Sequence, residues 1–411
     1  MTIKKSSYTI INKEFTFFIL ARIFFIAGLR MTPVLLGWQL YEITDSKLAL
    51  GILGLSEVIP AIAVALPAGV KVDKSDKKKL LTICFSVYFL LALGLLAITS
   101  SWFSTVASAK IIEYCIYGFV FVTGIVRAFA GSAINAFVSQ LVPAESMVKA
   151  VSMHSMSWLI AAVAGPAIAG MLLGYTNISV AFIVVCCSVL VALFLFQFIK
   201  SKPIVWQAGN TKTWDGVKEG LRFVMKQKVL LGAMSLDMFA ILFGGVVALL
   251  PVFAKDILHT GPQGLGWLIA STYIGNFIVI AVITYRPLKK RQGKILLQSV
   301  IGFGICMLVF AFSKNYWLSF AALFVSGLLD GISVLVRGTL VQLFVPDEMR
   351  GRVSSVNSIF INSSNELGQF ESGVAASMMG TVPSVIFGGC MTLIVAAVTW
   401  IKAPTLRKFE Y

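Results

Sequence analysis

The chain is a succession of long apolar runs separated by short, mostly basic turns. A bilayer-spanning helix needs roughly 20 such residues. Twelve runs can be drawn, at 15–42, 47–70, 80–99, 106–141, 146–174, 178–199, 229–254, 262–285, 295–313, 316–344, 353–379 and 382–401. None alternates in the manner of barrel strands. Only 13% of the residues are charged, against about 25% in soluble proteins. An all-α integral membrane protein of twelve transmembrane helices is expected. The first run starts at Phe15, is too long for a signal-peptide core and has no small-residue cleavage site, so it reads as the first span.

Basic residues sort by side. Lys4, Lys5 and Lys13, then Lys71, Lys74, Lys77, Lys78 and Lys79, then Lys149, the linker after run six, the loop Arg286–Gly293, then Arg350 and Arg352, and finally Lys402, Arg407 and Lys408 share one face. Only Lys47, Lys110, Lys255 and Lys314 fall opposite. Basic loops stay in the cytoplasm, so both termini and the even-numbered loops are expected there. This asymmetry explains the net charge of +16. A nucleic-acid partner is excluded for want of a soluble domain to carry a basic surface.

The runs divide six and six. Residues 1–199 form a first bundle, 200–228 a cytoplasmic linker and 229–411 a second bundle. The halves are similar: VPAESMVKAVSMHS from Val142 matches VPDEMRGRVSSVNS from Val345. Glu145 then aligns with Glu348, and Lys149 with Arg352. The same offset places Arg127 opposite Asp330. Two parallel repeats of this kind make a transporter architecture, with the substrate between them near the bilayer midplane.

One turn needs more than topology to explain it. Acidic residues contribute little to orientation, yet Asp73 and Asp76 sit in the lysine-rich turn Gly69-Val-Lys-Val-Asp-Lys-Ser-Asp-Lys-Lys-Lys-Leu80. The segment resembles the signature loop between the second and third helices of the major facilitator superfamily, with Gly69, Asp73, Lys74, Lys77 and Lys78 on the motif. It departs in having lysines for arginines, and Asp76 where glycine is common. The resemblance implies that these residues form a cytoplasmic gate engaging helix 11. Lysine lacks the bidentate fork of arginine, so a looser gate is expected. The second-half loop, Arg286–Gly293, keeps the charge without the aspartate. Arg127-Ala-Phe-Ala-Gly131 resembles the arginine-glycine motif linked to proton coupling in exporters, and Gly165-Pro166 the exporters' glycine-proline feature. The segments Gly37–Thr44, Leu249–Phe253, Val345–Val353 and Asn365–Ser372 are similar to the enterobactin-exporter-like branch. The resemblance covers essentially the whole chain and implies the two-bundle major facilitator fold.

Charges inside the runs are the candidate functional residues, since placing one at bilayer depth costs about 2.5–3.5 kcal/mol on insertion scales. They are Arg22, Arg30, Glu57, Arg127, Asp237, Asp330, Arg337, Glu366 and Glu371. Arginine does not deprotonate, so each one needs an acid or an anionic ligand. Asp330 and Arg337 lie two turns apart on one helix face, and Arg127 and Asp330 are expected to face the central cavity. Glu366 and Glu371 point about 140° apart. A proton antiporter needs a buried carboxylate that can gain and lose a proton, for which Asp237 or Glu366 is expected ahead of Glu57. Arg30 is the expected ligand-side cation. The alternative for each is a local interhelical pair.

Other chemistry is absent. The six cysteines all fall inside the runs, and neither histidine has metal-ligand neighbours. No metal and no cofactor is expected. There is no phosphate-binding G-x-x-x-x-G-K-[ST] and no nucleophile-base signature, so the chain is read as no enzyme. The expected function is secondary active export of a small amphipathic or anionic metabolite, above all a siderophore, in exchange for protons. Broad drug efflux and lysophospholipid transport are the alternatives. The expected setting is a bacterial inner membrane, where the chain acts as a monomer with lipid, protons and a small-molecule substrate as partners.

Overall fold

The computed structural model describes residues 12–203, 213–286, 290–346 and 349–410. Among them there is no β-strand. The long helices are α1 (Lys13–Thr44), α2 (Lys47–Asp73), α3 (Lys77–Ile98), α4 (Ala109–Leu141), α5 (Met147–Tyr175), α6 (Ile178–Gln197), α7 (Lys228–Gly244), α8 (Gly261–Tyr285), α9 (Gln292–Phe312), α10 (Tyr316–Phe344), α11 (Arg350–Met379) and α12 (Thr381–Lys402). Short helices add Ser101–Val106, Thr213–Lys226 and Pro404–Arg407.

Polar residues at the breaks between runs set where helices start. Asn12, Ser46, Asp76, Asn177 and Asn315 accept hydrogen bonds from the first-turn amides of α1, α2, α3, α6 and α10. Such caps satisfy amides that otherwise have no partner.

Eleven of the described helical segments are long and apolar enough to cross a bilayer. The exception is α11. It has the length, at 30 residues, but its sequence is rich in Ser and Asn and carries Glu366, Gln369 and Glu371. A second departure concerns run seven, read as one continuous span. Helix α7 stops at Gly244, and the chain continues through a 3-10 turn (Val247–Leu249) and a π turn (Phe253–Ile257). Gly245 and Pro251 account for the break: glycine costs helix stability and proline removes an amide donor.

Packing repeats at an interval of six helices. The pairs α1·α5, α1·α6, α2·α4, α3·α4 and α3·α6 recur as α7·α11, α7·α12, α8·α10, α9·α10 and α9·α12. Two seams join the first six helices to the last six, α2·α11 and α5·α8. Both need glycine. A Cβ on Gly373 would come within 2.6 Å of the Gly51 Cα, and one on Gly170 within 2.7 Å of the Gly266 Cα. Small residues of this kind let helices approach backbone to backbone.

The apolar core is split. One cluster draws on both sets of helices and contains Leu35, Tyr41, Leu50, Phe182, Phe253, Leu268 and Phe310. It lies at the end away from the termini. Toward the termini the core divides in two: one cluster holds Phe15, Phe85, Phe137 and Phe196 from the first six helices. The other holds Val224, Leu236, Leu297, Leu340 and Leu406 from the last six and the helix before them. The two sets of helices are therefore packed together at one end and separate at the other.

Candidate functional site

Just on the terminal side of the Gly51–Gly373 crossing, three helices bring charges together. Arg127 on α4 reaches Glu57 on α2 at 2.6 Å and Glu366 on α11 at 3.1 Å. Gln369 Nε2, one turn along α11, donates to the other oxygen of Glu366 at 2.7 Å. The α2·α4 approach is fixed by Gly124, whose Cβ would fall 2.3 Å from the Glu57 carbonyl. One guanidinium thus links a carboxylate of the first six helices to one of the last six.

The second seam carries different chemistry. On the terminal side of the Gly170–Gly266 crossing, Arg30 of α1 lies over the ring of Trp158 of α5, 5.0 Å from its centroid. It also lies 5.6 Å from the ring centroid of Tyr273 of α8, and its Nη1 donates to the Tyr273 hydroxyl at 3.3 Å. Trp158 and Tyr273 meet edge to face at 6.0 Å.

A third group sits among the last six helices. Arg337 of α10 pairs with Asp237 of α7 at 2.6 Å, both deeply buried. Ser333 Oγ donates to Asp237 at 3.4 Å, and Asn276 Nδ2 of α8 donates to Asp330 at 3.0 Å. Asp237, Asp330, Ser299 and Ser333 line a recess with about 20 Å³ open to the centre of a water molecule, room for one water. Arg22 is buried separately, its guanidinium donating to the His154 carbonyl and the Ser157 hydroxyl of α5.

The sequence candidates fall into these groups with changed partners. Arg127 and Asp330 occupy matching places in the repeat, yet Arg127 joins the α2·α11 seam while Asp330 turns to α8. Asp330 and Arg337 share a helix face and both lie near Asp237. Glu371 is half-buried beside Ser372, without an ion pair among the described residues. Trp158, Tyr273, Asn276 and Gln369 had not been singled out. Asn276 and Gln369 carried a signal, as amides inside spans; the two rings carried none among so many aromatics.

In the basic turn, Lys77 Nζ donates to the Asp73 carbonyl at 3.0 Å and Lys78 Nζ to the Gln197 carbonyl at 3.5 Å. Asp73 is exposed. Lys74 also has an interaction partner. A Cβ on Gly69 would meet nothing within 4 Å, so close packing does not demand glycine there in this conformation. Asp76, the unexpected acid, caps α3 through the Lys78 and Lys79 amides and accepts from Ser201 Oγ. Burial raises its carboxyl, but the hydrogen bonds from Ser201, Lys79 and Lys78 and the charge of Lys79 outweigh it and hold the group below its ordinary range. Among the described residues no group of side chains is arranged to hold a metal. Pro287, Leu288, Lys289 and Glu348, which figured in the second-half loop and the repeat, lie outside the described residues.

Two helical sets with repeated packing, joined at two seams with charges between them, define a membrane transporter of the major facilitator type. A crystal structure of a D-xylose–proton symporter superposes with a TM-score of 0.74 at 13% identity, covering 97% of this chain and 99% of that one. The chain belongs to the transmembrane secretion effector family, whose profile matches residues 6–411, and within the major facilitator superfamily it falls in the enterobactin-exporter-like branch. The staphyloferrin A transporter of Staphylococcus aureus is 25% identical over 88% of this chain and 89% of its own length. The enterobactin exporter EntS of Shigella flexneri is 23% identical over 95% and 92%. The chain is thus a multi-pass membrane transporter of small molecules, not an enzyme.

Proposed function

We propose that this protein exports a siderophore, a small anionic or amphipathic metabolite, across a bacterial inner membrane in exchange for protons. In this reading α11 also spans, which brings the count to twelve, its polar face turned to the interior rather than to lipid. The first bundle is 1–199, the linker 200–228 and the second bundle 229–411. Both termini are cytoplasmic, so the conformation with its terminal end open faces the cytoplasm. The chain works as a monomer, with lipid, protons and substrate as its partners.

The observation that carries the reading is Arg127 held between Glu57 and Glu366. The Glu57 contact stays within one bundle and the Glu366 contact crosses to the other. Protonation of Glu366 removes the crossing ion pair and leaves Arg127 with Glu57, which frees the bundles to rock. Loss of the proton restores the link, so a proton bound on one side and released on the other is tied to the change of access. Asp237, Asp330 and Arg337 form a second ionic group beside the recess, and Arg30 is the ligand-side cation. Gly69, Asp73, Lys74, Lys77 and Lys78 are the cytoplasmic gate, disengaged while that side is open. Likeness to transporters of two siderophores supports the substrate class.

The test is siderophore in medium and in cell extract of an iron-starved deletion strain, with and without the restored gene. Siderophore retained in cells and depleted from the medium is expected, with secretion restored by the wild-type gene and not by Glu366→Gln. Normal secretion by the deletion strain would remove the siderophore reading.

A further inference from the structure

Arg22 and Arg30 are the candidate arginines without a carboxylate partner among the described residues, and of the two Arg30 is the only partly buried one. Arg127 and Arg337 each hold a carboxylate. Among the described residues Arg30 has no ion pair within 4.0 Å, although its charge reaches the Glu366 carboxylate; its ring and hydrogen-bond partners are the Trp158 ring and the Tyr273 ring and hydroxyl. Its stem is fixed, because Gly165 of α5 packs so close that a Cβ there would fall 2.7 Å from the Arg30 Cβ. Its head is only partly buried, as are both rings.

Position adds a second line. Met31, the next residue, is buried in the cluster that closes the end away from the termini, whereas Ile26 belongs to the cluster of the first six helices alone. Arg30 therefore sits at the closed end of the space between the two sets of helices. A guanidinium carries five N–H donors in a planar fork suited to a carboxylate, and a single described hydrogen bond uses one. Beside it stand two rings set edge to face, their centroids 5.0 and 5.6 Å from the guanidinium carbon, close enough for cation–π attraction.

From this arrangement we infer that Arg30, Trp158 and Tyr273 form a binding site for a planar aromatic acid, with Arg30 taking the carboxylate and the two rings, set edge to face, meeting the ligand's ring by its face and by its edge. The inference rests on the export reading and narrows its substrate to molecules bearing a benzoate-type group. A saturated carboxylate of the same size satisfies the arginine but not the rings. Arg30 and Trp158 come from the first six helices and Tyr273 from the last six, so rocking between the sets changes the distance of Tyr273 from the other two. The site is assembled in the conformation open at the terminal end, the side from which an exported substrate enters.

The test is binding without transport. Benzoate, 2-hydroxybenzoate and cyclohexanecarboxylate are titrated against the detergent-purified full chain and followed by saturation-transfer NMR. Both aromatic acids are expected to bind at least about tenfold more tightly than cyclohexanecarboxylate, and Trp158→Ala and Arg30→Gln to lose about tenfold in affinity. Tyr273→Phe, which keeps the ring, should lose less than Tyr273→Ala. Circular dichroism and thermal melting identify variants that misfold, and Trp158→Phe supplies a conservative replacement that should retain binding. Equal binding of the saturated acid, unchanged affinity in folded Arg30→Gln and Trp158→Ala, or no binding to the wild type would each overturn the site. Ring-dependent binding together with normal siderophore secretion by the deletion strain would leave the site standing and sink the siderophore reading instead.

Discussion

Asp237 and Arg337 show what a charge inside this protein demands. Each is less than a tenth exposed, and each compensates the other at 2.6 Å. Removing one partner of a buried pair leaves a bare charge and typically costs about 3–5 kcal/mol, whereas an apolar pair of similar volume is often neutral. Arg337→Met should therefore lower the thermal stability of the purified protein sharply. Asp237→Leu combined with Arg337→Met should recover most of the loss. Melting curves in detergent decide it: a double variant as unstable as Arg337→Met would show that packing, not charge, set the cost. At this scale the sequence was legible as chemistry but not as pairing. Every charge inside an apolar run pointed to a polar interior, and each of the three groups contains such residues. The partners were not legible. Arg127 and Glu366 lie 239 residues apart, and their meeting depends on where α11 crosses α2. The repeat relation of Arg127 to Asp330 suggested a shared environment, but Arg127 reaches across the α2·α11 seam while Asp330 bonds within the last six helices.

Helices in this fold are legible by length and apolarity, and their ends by their caps, but their crossings are not. The α2·α11 and α5·α8 seams depend on glycines that in sequence look like any others among 34. Gly373→Val should force the α2·α11 seam apart, because its first carbon would lie 2.6 Å from Gly51 Cα and 2.8 Å from Gly51 N. Overpacking of this kind costs about 1–3 kcal/mol. Transport and melting temperature should both fall, while Gly118→Ala, which meets nothing within 4 Å, should leave both nearly unchanged. Equal effects at the two positions would refute a role for the crossing. The start of α3 gives a pH-dependent counterpart. Asp76 has its carboxyl held below the ordinary range, so its stabilising contribution is complete above that range, about pH 4. It is lost as pH falls through the lowered value. Asp76→Ala should remove about 1 kcal/mol at neutral pH. The gap from wild type should shrink as the medium is acidified below pH 4, in melts run across that window; a gap that widens in acid would contradict the cap.

For the whole molecule, the decisive feature is a core that is single at one end and double at the other. Apolar runs imply that the helices are buried in a bilayer, but they do not distinguish a conformation closed at one face from one closed at the opposite face. Both bury similar apolar surface, so the sequence underdetermines which the chain adopts. The break in α7 was hidden for a related reason: the residues from Gly245 to Ile257 are apolar throughout except Lys255 and Asp256, and hydropathy does not register a change of helical pitch. That break lies where the closed end is latched. Asp256, in the π turn, accepts a hydrogen bond from Tyr41 at the far end of α1, and Lys255 lies over the same ring at 5.1 Å. Opening this face requires those contacts to separate. Tyr41→Phe keeps the ring and deletes the donor, so it should shift the population toward the conformation open at that face. Asn365, exposed in α11 on the terminal side of the Gly51–Gly373 crossing, reports on access from the termini. In an otherwise cysteine-free background, Asn365→Cys should react with a membrane-impermeant thiol reagent applied to that side. Adding Tyr41→Phe should slow the reaction severalfold if the two faces open in alternation. An unchanged rate, with the protein folded by circular dichroism, would mean that the Tyr41–Asp256 contact does not hold the far end shut.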